Sequence, residues 1–597
     1  MIRIRVMTAV ALCVAAWSGS VFSGDAARAP IPDALRGYVS FSSVNQALKD
    51  ADTVIVGATR GQKVNYVPGF LPMMFQMMNP LPVGSWDPDG PAFVLLLDTG
   101  GREFDGSRDG AFLVSAPDFN ATIAGLELAG MEVEKIADGR WLWSLPKQKR
   151  RLILADAGEG QILATASEEI ADLYLEILAA WRPVHDDRGS MGLAMRMAPI
   201  LAGEAGKNFD NAAKQIASVD LDELAAKLEK DPEVSPECKT MVLGAARVLK
   251  KYYPEFDKGI RDIREQGISI RVDDDGIGQS YYFVPEKGVR LAGMAAHLAA
   301  QGRPEVALAA RAGGDASALM ICAGPDAMMP DAWRVGRDVL AVLVGEMFPG
   351  EVEAAGKVFD AIEAAGVGET VLAARVREND FSVVTSIASP RPAALLAAAA
   401  RGLEGVGRVM KPVLADAKVA IDLETTREAE DGSRYRAALS ADRGASLGDS
   451  SDAKIDKLIA DIGSLPDVLL SATGDGVELR TDRPAAEKPA EGAVVFSEDE
   501  MTRLAGRIGY RQAGMLLLDM DVILPLVAEQ MAAGGKLSAK DARLFDESLK
   551  KSGAGTAIVG FGAESDRLGV ELYISHKLVN QLYVLGSSMQ KGGKKGR

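Results

Sequence analysis

The feature that most constrains the fold of this chain is a recurring order of strand, tight turn, strand and helix. The stretch VGETVLAARVRENDFSVVTSIASPRPAALLAAAA at 367–400 has this order, and GTAIVGFGAESDRLGVELYISHKLVNQLYVL at 555–585 repeats it. In the second stretch, Leu568, Val570 and Leu572 alternate with polar or small residues. Alternation with period two is typical of a strand with one buried face. The sequence therefore predicts antiparallel strand pairs, each followed by a helix.

Two further stretches, at 90–126 and 268–298, fit the same plan, so we place four copies of one unit. Each copy begins with a short apolar strand, and the first copy is expected to begin with a strand over Thr53–Ala58. In the later three copies an amphipathic helix is expected between this strand and the strand pair. The copies are placed at Thr53–Ala129, 191–300, 318–400 and 514–588.

Local signals mark the ends of these amphipathic helices. Ser538 with Asp541 is typical of a capping box at a helix start, and Ser235 before Pro236 favours another start. Gly366 is placed to end the helix of the third copy. Three separately delimited helices at one position of the repeat favour a common unit.

Inserts at 131–181 and 418–482 separate the copies within each pair, so the chain is predicted to be internally duplicated. Each insert contains four strand-like runs and one helix-like run. The predicted fold class is α+β, with internally duplicated antiparallel sheets and helices packed on one face. The expected divisions are 1–23 (signal peptide), 24–52 (lead-in), 53–310 (N-terminal α+β half), 311–590 (C-terminal α+β half, a duplicate of the first) and 591–597 (basic disordered tail).

The start of the chain indicates export. Arg3 and Arg5 precede an apolar run from Val6 to Trp17, and cleavage is expected near Ser23, which is the pattern of a secretory signal peptide. The run is too short to span a bilayer, and no later segment approaches the roughly 20 residues a spanning helix needs. The mature protein is expected to be periplasmic or secreted, with no integral membrane segment.

Composition narrows the class of partner. The chain has 597 residues, of which 48% are hydrophobic, and its net charge is −16. It can bury more than one core, whereas its negative charge repels phosphate backbones. Nucleic acid is therefore not expected as a partner. The expected partner is an unknown protein or an apolar ligand.

The mature chain keeps two cysteines, Cys238 and Cys322. One bridge between them is chemically permitted in an oxidising compartment. Cys322 lies in the apolar run ALMICAG, whereas Cys238 stands between charged residues. We expect two free thiols, because one is placed in a buried strand and the other nearer the surface.

The run LLLDTGG around Asp98 matches the local signature of aspartic proteases. Those enzymes need a second carboxylate to share the proton, and no second Asp-Thr-Gly or Asp-Ser-Gly is present. The repeat places Asp98 to Gly101 where the other copies have their hairpin turn. Asp98 is therefore interpreted as a turn residue.

Other candidate sites are weak. Met73, Met74, Met77 and Met78 form a cluster that is interpreted as apolar packing, with an apolar contact surface or a soft-metal site as alternatives. The run Asp273 to Asp275 lacks the ligand spacing of a calcium loop and is interpreted as a turn. No catalytic, cofactor or metal site is assigned, because no complete nucleotide-binding, hydrolase or metalloprotease motif occurs.

A signal peptide followed by repeated α+β units rich in Ala and Gly resembles large exported bacterial proteins of unknown function. That resemblance implies no activity. The leading hypothesis is a non-enzymatic exported binding or scaffold protein of unknown ligand. The alternatives are a carrier of an apolar ligand or lipid and a carboxylate-dependent hydrolase.

Overall fold

A computed structural model describes residues 29–593 with internal gaps, the longest at 60–68, 70–85, 302–315, 444–452 and 482–497. The fold is α+β, built on one large antiparallel sheet. We call strands β1 to β10 the first half and strands β11 to β20 the second half.

The described strands of the first half are β1 (Leu35–Phe41), β2 (Ala92–Leu97), β3 (Gly110–Ser115), β4 (Glu132–Ala137), β5 (Arg140–Leu145), β6 (Arg150–Gly158), β7 (Gln161–Thr165), β8 (Met191–Arg196), β9 (Ile263–Val272) and β10 (Gly276–Pro285). Its helices are α1 (Val44–Thr59), α2 (Phe119–Leu128), α3 (Glu168–Ala180), α4 (Met197–Ala202), α5 (Glu204–Ala217), α6 (Leu221–Glu229), α7 (Pro236–Arg261) and α8 (Arg290–Ala300).

The described strands of the second half are β11 (Ala318–Cys322), β12 (Thr370–Arg377), β13 (Asp380–Ala388), β14 (Val419–Arg427), β15 (Arg434–Arg443), β16 (Val468–Ala472), β17 (Gly476–Thr481), β18 (Gly514–Asp519), β19 (Thr556–Glu564) and β20 (Arg567–Ser575). Its helices are α9 (Pro325–Met328), α10 (Ala332–Met347), α11 (Val352–Ala365), α12 (Pro392–Ala415), α13 (Ala453–Gly463), α14 (Glu498–Ala505), α15 (Met520–Ala533), α16 (Ala539–Ser552) and α17 (His576–Gly593), with a 3₁₀ turn at Pro349–Glu351.

The strands pair in the same order in each half. Hydrogen-bonded neighbours of the first half run β4-β5-β6-β7-β3-β2-β1-β8-β9-β10. Those of the second half run β14-β15-β16-β17-β13-β12-β11-β18-β19-β20. All of these ladders are antiparallel, and the pairing of β10 with β20 joins them into one sheet.

Helices lie on both faces of part of the sheet. Leu163 of β7 shares a core cluster with Tyr174 of α3. Its neighbour Ile162 shares another cluster with Leu126 of α2. Because successive residues of a strand point to opposite faces, α2 and α3 cover opposite sides of β7. This region differs from the predicted arrangement, in which helices pack on one face.

The predicted opening strand over Thr53–Ala58 is wrong. These residues belong to α1, and the opening strand is β1, which lies inside the segment expected to be a lead-in. The Ser43 hydroxyl accepts the N–H of Gln46 at 2.8 Å and starts the helix. Its end packs on α17, where the Asn580 amide donates to the Ala58 carbonyl at 2.8 Å. Capping and tertiary contact therefore outweigh the strand preference of the β-branched residues.

Several local predictions are confirmed. The stretches at 367–400 and 555–585 each form an antiparallel hairpin followed by a helix. Gly366 has a φ of 76° and donates to the Ile362 carbonyl at 3.1 Å at the end of α11. The Ser538 hydroxyl accepts the N–H of Asp541 at 3.1 Å at the start of α16.

Candidate functional site

The seam between the halves is a ladder of eight residue pairs, from Gly276↔Ser575 to Phe283↔Leu568. Among the described strands, β10 and β20 form the one ladder that joins the first half to the second. The seam is thus where side chains far apart in sequence come together.

A charged cluster lies at one end of the seam. Asp273 is in the turn between β9 and β10, and Arg507 follows α14. Arg507 Nη1 donates to Asp273 Oδ1 and Oδ2 at 3.0 and 3.1 Å. Its Nη2 pairs with Asp275, and it also contacts the hydroxyl of Tyr573 on β20. The guanidinium lies over the Tyr573 ring, 4.9 Å from its centre.

The cluster keeps Asp273 ionised. Burial opposes its charge, but the Tyr573 hydroxyl donates to Oδ1 at 2.8 Å and the N–H groups of Asp275 and Gly276 each donate at 2.9 Å. Together with the charge of Arg507, these bonds hold the pKa of Asp273 below its usual value. Burial and then Asp273 raise the pKa of Tyr573.

Two more contacts extend the cluster across the seam. Glu571 of β20, 2% exposed, accepts the N–H of Gly509 at 2.7 Å and lies 3.5 Å from Arg271 of β9. His576, the first residue of α17, contacts the Asp273 carbonyl through Nε2 at 2.8 Å. Asp273 shares Arg507 with Asp275. This arrangement fastens the two halves together.

Sequence reasoning located the turn at Asp273 but not the cluster. Arg507 and Tyr573 lie 234 and 300 residues further along the chain. No local pattern connects residues at such separations. A search for charged side chains in strands and turns would have found Asp273 and Arg507, but neither Tyr573 nor the pairing.

Helix α7 presents a second candidate surface. Val242, Leu249 and Phe256 are seven residues apart, so they lie along one side of the helix. Their exposed fractions are 45%, 52% and 60%. The Tyr252 hydroxyl donates to the Asp338 carbonyl of α10 at 3.2 Å, so a neighbouring flank of α7 is held against the second half. We call Val242, Leu249 and Phe256 the apolar row.

One cavity of about 630 Å³ lies beside the hairpin of β14 and β15. Charged, hydroxyl and alanine side chains line it: Glu428, Ala429, Ser433, Arg434, Ser471 and Ala472. A carrier for an apolar molecule needs a predominantly apolar, enclosing wall. This cavity does not have that chemistry.

The structure describes some of the residues singled out in the sequence, and others lie outside its described ranges. Asp98 directly follows β2, where its carboxylate accepts the N–H of Gly100 at 3.1 Å and lies 3.5 Å from Arg196, as expected for a turn residue. Cys322 is a free thiol on β11, and burial, followed by the charge of Glu369, raises its pKa to about 11. The side chain of Cys238 lies outside the described residues, as do the predicted signal peptide and the cluster Met73, Met74, Met77 and Met78.

Within the described ranges, no group of three or more His, Cys, Asp or Glu side chains is arranged to hold a metal ion. Of the helices described, none is both long enough and apolar enough to cross a bilayer.

Comparison with protein-family models, curated protein sequences and solved structures finds no match to this chain.

Proposed function

We propose that this chain is an exported binding or scaffold protein that is not an enzyme, and that α7 presents its contact surface. The observation that carries the proposal is the apolar row on α7. Single exposed apolar residues are ordinary on a protein surface, whereas an aligned set on one helix is typical of an interaction site. Full burial of each such side chain contributes about 1.5–3 kcal/mol, so the row favours association.

The place of α7 in the chain supports this reading. The connection between β8 and β9 contains four helices, α4 to α7, whereas that between β18 and β19 contains two, α15 and α16. Among the described side chains of α5, α6 and α7, no large hydrophobic residue is fully buried. The additional helices thus add little core and much surface.

The proposal includes an internal duplication, with a boundary between α8 and β11. The shared pairing order of ten strands in each half supports it. A duplicated sheet joined along one ladder makes a broad platform, and the helices that differ between the halves provide separate surfaces on it. The export of the protein rests on the signal-peptide pattern at 1–23.

The contact surface can be tested by photo-cross-linking in cells that produce the full chain. Benzoylphenylalanine is placed at Leu249 of α7 or at Leu544 of α16, whose exposed fractions are 52% and 51%. We expect an adduct to a partner molecule from position 249 and none from position 544. Absence of an adduct at 249, or equal yields at the two positions, would contradict the proposal.

A further inference from the structure

Helix α7 carries an unusual distribution of charge for this chain. Between Lys239 and Tyr253 it contains Lys239, Arg247, Lys250 and Lys251 and no Asp or Glu, although the chain as a whole has a net charge of −16. Arg247 and Lys251 are exposed, as is the apolar row. A long helix with an apolar side and a basic polar side is typical of helices that lie on membrane surfaces.

The acidic residues of α7 stand apart from this basic stretch. Glu237 precedes it at the start of the helix, and Glu255 and Asp257 follow Pro254 near the end. Asp257 is paired with Arg261 at 2.8 Å. The stretch from Lys239 to Tyr253 therefore carries positive charge on the same helix as Val242 and Leu249.

We propose that α7 docks on the surface of an anionic phospholipid bilayer, with the apolar row inserted among the lipid chains and the basic residues near the headgroups. The inference rests on the proposed function, since it names the partner of the same surface. Charge complementarity supports it, because negative lipid attracts this stretch while the rest of the chain is acidic. The helix is about 39 Å long, so it offers a long line of contact without spanning the bilayer.

The shape of the row favours lipid over a protein partner. The row is one side chain wide, because Tyr252 on one side contacts α10 and Tyr253 on the other donates to the Phe209 carbonyl of α5 at 3.5 Å. A stable protein interface needs about 800 Å² from each partner, usually around a packed centre. A narrow apolar row on a helix whose opposite side carries Arg247 and Lys251 has the amphipathic pattern of interfacial insertion into lipid.

The test measures partitioning of the full mature chain onto vesicles by flotation. Vesicles of phosphatidylcholine alone are compared with vesicles of equal parts phosphatidylcholine and phosphatidylglycerol. We expect binding to the anionic vesicles, and its loss at about 1 M salt, where the screening length falls to about 3 Å. Leu249→Gln with Phe256→Gln is expected to weaken binding about 10- to 100-fold through lost apolar burial.

A second variant separates charge from apolar contact. Arg247→Gln with Lys251→Gln is expected to weaken binding about 10-fold or more, since each basic residue near anionic lipid contributes about fivefold. The matched control is Leu544→Gln, an equally exposed leucine on α16, which should bind like the original chain. Circular dichroism melts establish that the variants remain folded.

The membrane inference is overturned if the original chain does not bind anionic vesicles, if it binds neutral vesicles equally well, or if Leu544→Gln weakens binding as much as the α7 variants. A protein adduct at position 249 together with no vesicle binding would replace lipid by a protein partner and leave the proposed function standing. Loss of both the adduct and vesicle binding would remove both proposals.

Discussion

Helices α7 and α16 both precede the last hairpin of their half, yet the apolar side chains of the two helices differ in exposure. In α16, Phe545 and Leu549 are 1% and 5% exposed, in a core shared with residues of α15 and α17. In α7, Leu249 and Phe256 are more than half exposed. The same position in the strand order therefore does not determine whether a helix is buried.

The helices described at the end of the two halves also differ in what they cover. Helix α17 has 18 residues, and its Leu578 and Leu585 pack with Phe545. Helix α8 has 11 residues, and its Met294 and Leu298 pack with Ala563 of β19 in the other half. Among the described residues, the apolar row of α7 belongs to no buried cluster, whereas Phe545 of α16 does. An amphipathic pattern predicts a helix with an apolar side but does not predict what covers that side.

The largest expected contrast is between Phe545→Ala and Phe256→Ala. Removing the buried ring of Phe545 should lower the free energy of unfolding by about 3–5 kcal/mol, because it leaves a cavity. Removing the exposed ring of Phe256 should lower it by less than about 1 kcal/mol. Urea unfolding of the two variants measures both. Equal losses would mean that α7 is buried as α16 is.

A smaller loss is expected at Gly569, which lies under the ring of Tyr510. A Cβ at this position would lie 2.3 Å from the ring, so Gly569→Ala should cost about 1–3 kcal/mol through overpacking. In the first half, a Cβ at Gly267 would lie 2.2 Å from the ring of Tyr282. Gly267→Ala should therefore cost a similar amount of stability.

The control for these glycines is Gly356 in α11, where a Cβ would meet no atom within 4 Å. Gly356→Ala should stabilise the helix by about 0.5–1 kcal/mol. Thermal or urea unfolding distinguishes the three variants. If Gly569→Ala is as well tolerated as Gly356→Ala, the ring of Tyr510 does not pack tightly against Gly569.

The next largest effect is expected in the pH dependence of the unfolding free energy, to which Asp273 contributes. Its pKa in the folded chain is lower than in the unfolded chain, so its carboxylate stabilises the fold above the unfolded pKa of about 3.9. That contribution is lost as the pH falls through the lower, folded pKa. Asp273→Asn should lower the free energy of unfolding by about 1–2 kcal/mol at neutral pH, allowing for partial exposure. Below about pH 4, the stability of this variant should fall less steeply than that of the original chain.

Unfolding free energies at neutral and acid pH give this comparison. The exposed neighbour Asp274 in the same turn serves as control, and Asp274→Asn should keep the acid dependence of the original chain. Identical pH profiles for Asp273→Asn and the original chain would show that the seam cluster does not stabilise the junction.

The smallest effect is expected at Asp98, which makes a similar turn away from the seam. Its carboxylate bonds to Gly100 and lies 3.5 Å from Arg196, so Asp98→Asn should cost about 1 kcal/mol at most. Unfolding curves test the stability change. Pepstatin-sensitive proteolysis by the purified chain, abolished by this substitution, would instead establish a catalytic carboxylate.

The sequence by itself determined the local elements. The strands of both inserts, the hairpins at 367–400 and 555–585, and the helix boundaries at Gly366 and Ser538 could all be read from it. Each depends on alternation over a few residues or on a cap within one turn. Such signals are local, because side-chain period and backbone capping act between near neighbours.

Only the tertiary structure decided the rest. The run Thr53–Ala58 became helical through contact with α17, more than 500 residues away. The seam cluster joined Asp273 to Arg507 and Tyr573, and packing against α15 and α17 buried Phe545 of α16 while the apolar row of α7 stayed exposed. These outcomes depend on which elements meet in space, and the energy of such contacts is not encoded in the period or capping of any one segment.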